Sequence, residues 1–208
     1  MAPRRAGQLG QAPKAAPWGS ACRPLERALL RACRGEPLVD ICGTGGPGIG
    51  DDGARELAGA LAQQARLVSL RLRRSSVGDL GACTLAGALQ EHKCLTHLDL
   101  ADNVIGEAGI AQLVQSLLHA GVLRVLRLQG NRIADAGTLH VSTLVGHQLS
   151  LQELHLGGNG ITTLGVSHLS TAVGPHSGLQ VLKLGDNALL DAGISSLARA
   201  LLVNESLK

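Results

Sequence analysis

One frame of 28 residues repeats through most of this chain, and few architectures accommodate such a period. The copy from Leu95 to Val122, LTHLDLADNVIGEAGIAQLVQSLLHAGV, shows it whole. Leucines hold its first, fourth and sixth places, Asn103 the ninth, Ile105 the eleventh and Gly109 the fifteenth, and an apolar tail follows. Leu67, Leu95, Leu123, Leu151 and Leu179 each open a copy, and Val39 opens a degenerate one. Units this short bury their apolar faces only against one another, which makes a stacked solenoid.

The physics of one copy can be taken place by place. Leu98 and Leu100 keep the period-two alternation of a strand, so His97 and Asp99 point the other way. Asn103 follows in a turn, where its amide can meet backbone groups that a tight loop leaves unpaired. From Gly109 the spacing turns helical, with Ile110, Leu113, Leu117 and Leu118 on one stripe. Helices are about 10 Å wide and strands sit roughly 4.8 Å apart, so the strands line the inside of an arc and the helices the outside. The expected fold is α/β: a horseshoe of about six 28-residue repeats, with a concave parallel sheet and convex helices.

The frame LxxLxLxxNxI, followed by segments such as IADAG (Ile133 to Gly137) and LLDAG (Leu189 to Gly193), resembles the ribonuclease-inhibitor type of leucine-rich repeat. That subfamily also supplies the repeat domains of NOD-like receptors and of Ran GTPase-activating proteins. The resemblance covers roughly residues 38–208. It implies an architecture that serves many functions and does not identify one.

Three segments are expected in chain order. Residues 1–23 are rich in Ala, Pro, Gly and Arg and hold no acidic group, the composition of a disordered basic leader. Arg-rich, acid-poor segments also serve as transit peptides, but Pro3, Pro13 and Pro17 break an amphipathic helix there. Residues 24–36 hold a helix candidate with Leu25, Leu29 and Ala32 or Cys33 on one face, ended by Gly35, which reads as an N-terminal cap. Residues 37–208 are the repeat domain, with copies opening near 39, 67, 95, 123, 151 and 179. A seventh opens at Leu207 just before the last residue, so the expectation is a truncated chain or a stacking face that something covers, with self-association through that end as one outcome.

Charge and cysteine usage exclude several classes. The net charge of +3 divides into +5 over residues 1–37 and −2 over the remainder, so no basic stripe runs along the repeats. There is no Phe or Tyr, and Trp18 is the one Trp, which leaves the repeats without platforms for base stacking. A nucleic-acid partner is therefore not expected. No apolar run suits a membrane span. Cys22, Cys33, Cys42, Cys83 and Cys94 are odd in number and include no CxxC pair, which fits reduced thiols and a cytoplasmic location. Cys94 and His97 are two ligands at most, short of a zinc site, and no metal or cofactor is expected. The stretch GTGGPG before Ile49 lacks the Lys of a phosphate loop, and the repeat frame assigns Gly43 and Gly45 to outward strand places.

What remains is a face. The fifth-place column runs Gly43, Arg71, Asp99, Arg127, His155, Lys183, and beside it lie Arg73, Arg74, Asp102, Arg124, Glu153 and Asp186. Such a mixed pattern reads either as a docking set for a partner protein or as a solvated charged surface. A structural asparagine row, Asn103, Asn131, Asn159 and Asn187, runs behind it. Among eight histidines none has a nucleophile placed beside it, so catalysis is not expected. The function this supports is a protein-interaction scaffold. A regulator of an enzyme, GTPase-activating or inhibitor-like, or a fragment of a NOD-like-receptor-type protein, is the alternative. Between Gln129 and Leu182 only Arg132, Asp135 and Glu153 are charged, so the convex wall is a second, weakly charged surface.

Overall fold

The computed structural model describes residues 23–41, 48–63, 66–119, 121–174 and 178–208. Helix α1 spans Arg23–Cys33, and six strand–helix units follow. They are β1 Leu38–Asp40 with α2 Gly50–Leu61, β2 Ser69–Arg71 with α3 Asp79–Leu89, and β3 His97–Asp99 with α4 Glu107–Leu118. The remaining three are β4 Val125–Arg127 with α5 Ala134–His147, β5 Glu153–His155 with α6 Thr163–Ala172, and β6 Val181–Lys183 with α7 Leu190–Leu201. The strands pair in parallel in the order β1-β2-β3-β4-β5-β6, so neighbours in sequence are neighbours in space.

Register carries the repeat into three dimensions. From β2 onward each strand residue pairs with the one 28 places later: Leu70 with Leu98, Leu98 with Leu126, Leu126 with Leu154, Leu154 with Leu182. The apolar places stack into one continuous core in which Leu67, Leu70, Leu72, Leu95 and Leu100 have no exposed surface. In α4 the expected stripe is buried at Ile110, Leu113 and Leu117, with Leu118 packed partly against it.

The first unit departs from the frame. Strand β1 pairs Val39 with Leu70 and Asp40 with Arg71, a displacement of 31 residues, whereas Gly53 and Gly81 keep the 28-residue spacing in the helices. The fifth place of the first unit is therefore Asp40, and not Gly43 as the frame implied. The cause is alternation: Val39 and Ile41 are β-branched and bury to 0% and 2%, which leaves Asp40 outward. The 28-residue frame would have put Cys42 and Thr44 at those inward places. The three extra residues fall in 42–47, outside the described residues, as do the leader over 1–22, Trp18 and most of the GTGGPG segment.

Helix α1 packs on α2 and buries Leu25, Ala28 and Ala32 to 3% or less. At the opposite end, α7 leaves Leu190, Ile194, Leu202 and Val203 exposed at 71%, 56%, 85% and 58%. Lys208 N–H donates to the Gln180 carbonyl at 3.0 Å, the bond that Gln180 N–H makes to Gln152. Leu207 and Lys208 thus continue the frame in register.

Candidate protein-binding face

Polar side chains that reach from one repeat to the next hold the concave face in place. Asn103 donates to the carbonyls of Leu72 (2.8 Å) and Leu100 (2.9 Å), and its Oδ1 accepts from the N–H groups of Ser75 and Val77. Asn131 repeats this toward Leu100, Leu128 and Ile105, and Asn187 toward Leu156, Leu184 and Ile161. Asn159 donates to Leu128 and Leu156, while its Oδ1 has no partner among the described residues. An amide serves because it carries both donors and an acceptor. One residue earlier, the turn requires left-handed backbone: Arg74, Asp102, Gly130, Gly158 and Asp186 all have φ between 55° and 70°.

A second set of bonds sets the helices. Asp51 accepts from Gly78 N–H at 2.6 Å, Asp79 from Gly106 (2.7 Å) and Gly109 (3.0 Å), and Asp135 from Thr162 (2.8 Å) and Gly165 (2.9 Å). Each carboxylate so caps the N-terminus of the helix in the following repeat. Burial works against the charged form of Asp135, but the hydroxyl and N–H of Thr162 and the N–H of Gly165 overcome it, helped by His168, and hold its pKa below the ordinary value. A third set lies past the helix C-termini. His92 Nε2 bonds the Leu61 carbonyl at 3.1 Å, Gln148 Nε2 the Leu117 carbonyl, and Asn204 Nδ2 the Gly174 carbonyl at 2.8 Å. These three residues share one place of the frame although no two are alike.

On the scaffold so fixed, the outward charges form a ladder across the strands. Arg71 lies 3.9 Å from Asp40, Arg127 3.8 Å from Asp99 and 3.9 Å from Glu153. These spacings exceed hydrogen-bond length, so the guanidinium donors are biased by the carboxylates and not used up by them. Arg73 differs: it bonds Asp102 at 2.8 Å, and Arg74 approaches the same oxygen at 3.3 Å. Arg124 and Lys183 are exposed and have no carboxylate partner among the described residues.

The sequence placed Asp99, Asp102 and His155 among the presented groups, and all three are more withdrawn. Asp102 is engaged by two arginines, and the side chain of Asp99 is only 14% exposed. His155 is 9% exposed, its Nε2 standing 3.6 Å from Glu153. Burial, then the charges of Lys183 and Arg127, lower its pKa against the opposite pull of Glu153 and Asp99, so the ring is neutral at neutral pH. His97, on the same face, bonds Thr96 through Nδ1 at 2.8 Å. Cys83 and Cys94 are both free thiols, and burial raises the pKa of Cys83. No group of three potential metal ligands occurs among the described residues.

Between the ridges lies a depression of about 160 Å³ lined by Arg71, His97, Leu98, Asp99, Val125, Arg127 and Glu153. Small-molecule pockets usually enclose about 300–1,000 Å³ and are mainly apolar. A shallow charged trough of this kind suits the side chains of a macromolecule better than a buried metabolite.

Parallel strands on the concave side, helices outside and an asparagine ladder between them define a leucine-rich-repeat solenoid. Comparison with known proteins agrees on the repeat. Residues 91–114 and 147–170 match the family described as leucine rich repeat. Actin-binding site 2 of leiomodin-1 is similar in fold, with a TM-score of 0.55 and 16% identity, over 85% of this chain and 89% of that one. The tropomodulin C-terminal domain of Caenorhabditis elegans gives a TM-score of 0.47 and 12% identity, over 86% and 91%. No curated protein matches the chain.

Proposed function

We propose that this chain is a non-enzymatic interaction module that binds a partner protein on its concave face, and that its repeats are of the ribonuclease-inhibitor type. The observation that carries the binding reading is the state of the arginines. Arg71 and Arg127 are oriented by carboxylates 3.8–3.9 Å away yet keep donors free for bidentate contacts, and Arg124 stands open beside them. Oriented guanidinium groups on a rigid sheet lose little freedom on binding, which is where affinity is usually spent. A fold shared with a leiomodin segment at 16% identity brings the architecture and not its ligand. The two free thiols favour a cytoplasmic location. No described helix is long and apolar enough to cross a membrane.

The test is a joint reversal of Arg71, Arg124 and Arg127 to Glu. Proteins captured by the wild-type chain should be lost from the triple variant while its circular-dichroism spectrum is unchanged. Undiminished capture would remove the concave face from the reading and move it to the convex wall.

The uncovered Ile194 and Leu201 of α7 support one further contact, self-association through that end of the solenoid.

A further inference from the structure

The fifth-place column alternates in sign over its first four strands: Asp40, Arg71, Asp99, Arg127. It then stops alternating. His155 pairs in register with Arg127 on one side and Lys183 on the other, so three basic residues follow one another across β4, β5 and β6. Glu153 is shared between Arg127 at 3.9 Å and His155 at 3.6 Å. Asp99 balances Arg127 from β3 at 3.8 Å, and Lys183 has no partner among the described residues. His155 Nε2 makes no hydrogen bond, in a residue more than nine-tenths buried.

Beside Arg127 and Lys183 the main chain is partly uncovered. The second repeat carries Arg73 and Arg74 after its strand, whereas the fifth places Gly157 and Gly158 there and the sixth Gly185 and the exposed Asp186. Gly158 has φ +64°, the left-handed backbone that Arg74, Asp102 and Asp186 adopt at the same place. At Gly185 a Cβ would meet nothing within 4 Å, and its φ is not in the left-handed region. The fold thus tolerates a side chain at Gly185, and the absence of one leaves main chain open to close approach.

Building on the concave-face reading, we propose that the β4–β6 half of the face is a docking site for an acidic segment of a partner protein. Its carboxylates sit over Arg127, His155 and Lys183, and its backbone lies across the glycine shelf. A carboxylate delivered there supplies the negative charge missing from the ladder. It also stabilises the imidazolium of His155, so binding takes up a proton and strengthens as the pH falls from 7.5 to 6.

Fluorescently labelled hexaglutamate and hexalysine peptides, followed by anisotropy at low ionic strength, test this on the full chain. Hexaglutamate should bind at least tenfold more tightly than hexalysine. Lys183→Glu and Gly185→Trp should each weaken it at least tenfold, while Arg55→Glu, an equal charge change on α2, should alter it less than twofold. His155→Gln should bind hexaglutamate with no gain on acidification. Equal binding of the two peptides, or unchanged binding by Lys183→Glu, would overturn the proposal. That failure stays separate from failure of the interaction reading, which the Arg71, Arg124 and Arg127 reversal decides by loss of captured protein.

Discussion

The carboxylate of Asp79 occupies the space that a side chain at Gly109 would need. Its Oδ1 accepts the Gly109 N–H at 3.0 Å and stands 2.7 Å from the position of a Cβ on that residue. The same geometry recurs between Asp51 and Gly81 at 2.6 Å and between Asp135 and Gly165 at 2.5 Å. At Gly81, Gly109 and Gly165 the glycine thus makes room for a cap that arrives from the preceding repeat, whereas at Gly137 the side chains of Ile133 and Ile110 fill that space.

Gly109→Ala should therefore destabilise the fold even though alanine is the better helix former. The intrinsic gain is about 1 kcal/mol. Against it stand contacts at 2.7 Å to Asp79, 2.9 Å to Ile105 and 3.0 Å to Ala82, all from residues packed in place. Overpacking of this kind costs about 1–3 kcal/mol, so the net effect is a loss. At Gly59 in α2 and Gly87 in α3 an added methyl would meet nothing within 4 Å, and there the same substitution should stabilise. Urea denaturation of the three variants should give opposite shifts in midpoint; a rise for Gly109→Ala would remove the steric role of Asp79.

Asn131→Ala removes two donated bonds and one accepted bond from a site only 7% exposed. The Leu100 carbonyl keeps its bond from Asn103 and the Leu128 carbonyl its bond from Asn159, so the Ile105 N–H is the group left unsatisfied, at about 1–3 kcal/mol. A loss of about 1–3 kcal/mol is expected from chemical denaturation. Hydrogen exchange should rise first at Ile105, whose N–H the Asn131 side chain accepts. A variant as stable as wild type would mean that water replaces the amide.

Acidification should weaken the fold through His92. The ring is fully buried, and burial lowers its pKa despite the bond to Leu61 and the charge of Glu91, which act the other way. The unfolded chain, with an imidazole pKa near 6.5, therefore binds more protons than the native state just below that pH. The contribution is complete above about pH 6.5 and is lost as the pH falls from there toward the lower native value. His155, also lowered, acts in the same window. The repeats supply the control: Gln148 makes the equivalent bond to Leu117 without titrating. His92→Gln should match wild type at pH 7.5 and lose stability less steeply between pH 6.5 and 5, as read from thermal midpoints across that range. An unchanged slope would assign the acid sensitivity elsewhere.

How much of this was legible follows from what repeats as a letter. Leucine and asparagine recur as themselves because each job admits one chemistry, so the solenoid and the row from Asn103 to Asn187 can be read directly. His92, Gln148 and Asn204 do one job with three side chains, and no periodic letter marks it. The caps of Asp51, Asp79 and Asp135 were visible only as a short motif, since each bond reaches 27 or more residues forward into the next repeat. In the first unit two periods compete, and the alternation of Val39 and Ile41 prevails over the 28-residue frame. On the concave face the frame says which residues point outward. Whether Asp102 is engaged or His155 covered depends on the side chains of adjacent strands, which no single repeat encodes.

The exposed end of α7 gives the last prediction. Ile194 and Leu201 of α7 are 56% and 44% exposed, whereas the residues at the same two places of the earlier helices, among them Val166 and Val173 in α6 and Ile110 and Leu117 in α4, are buried. Apolar area buried in a contact stabilises it by about 25 cal/mol per Å², so a shared apolar surface drives association of two such ends. Light scattering during size exclusion at high micromolar concentration should give a mass above that of the monomer. Ile194→Lys combined with Leu201→Lys should return it to monomer without altering the helical signal, because neither side chain is part of the buried core. A monomeric wild-type chain would show that Ile194 and Leu201 of α7 do not suffice for pairing. A double variant that still associates would place the contact on another surface, with the lightly charged convex wall carrying Leu139 and Leu164 the next to examine.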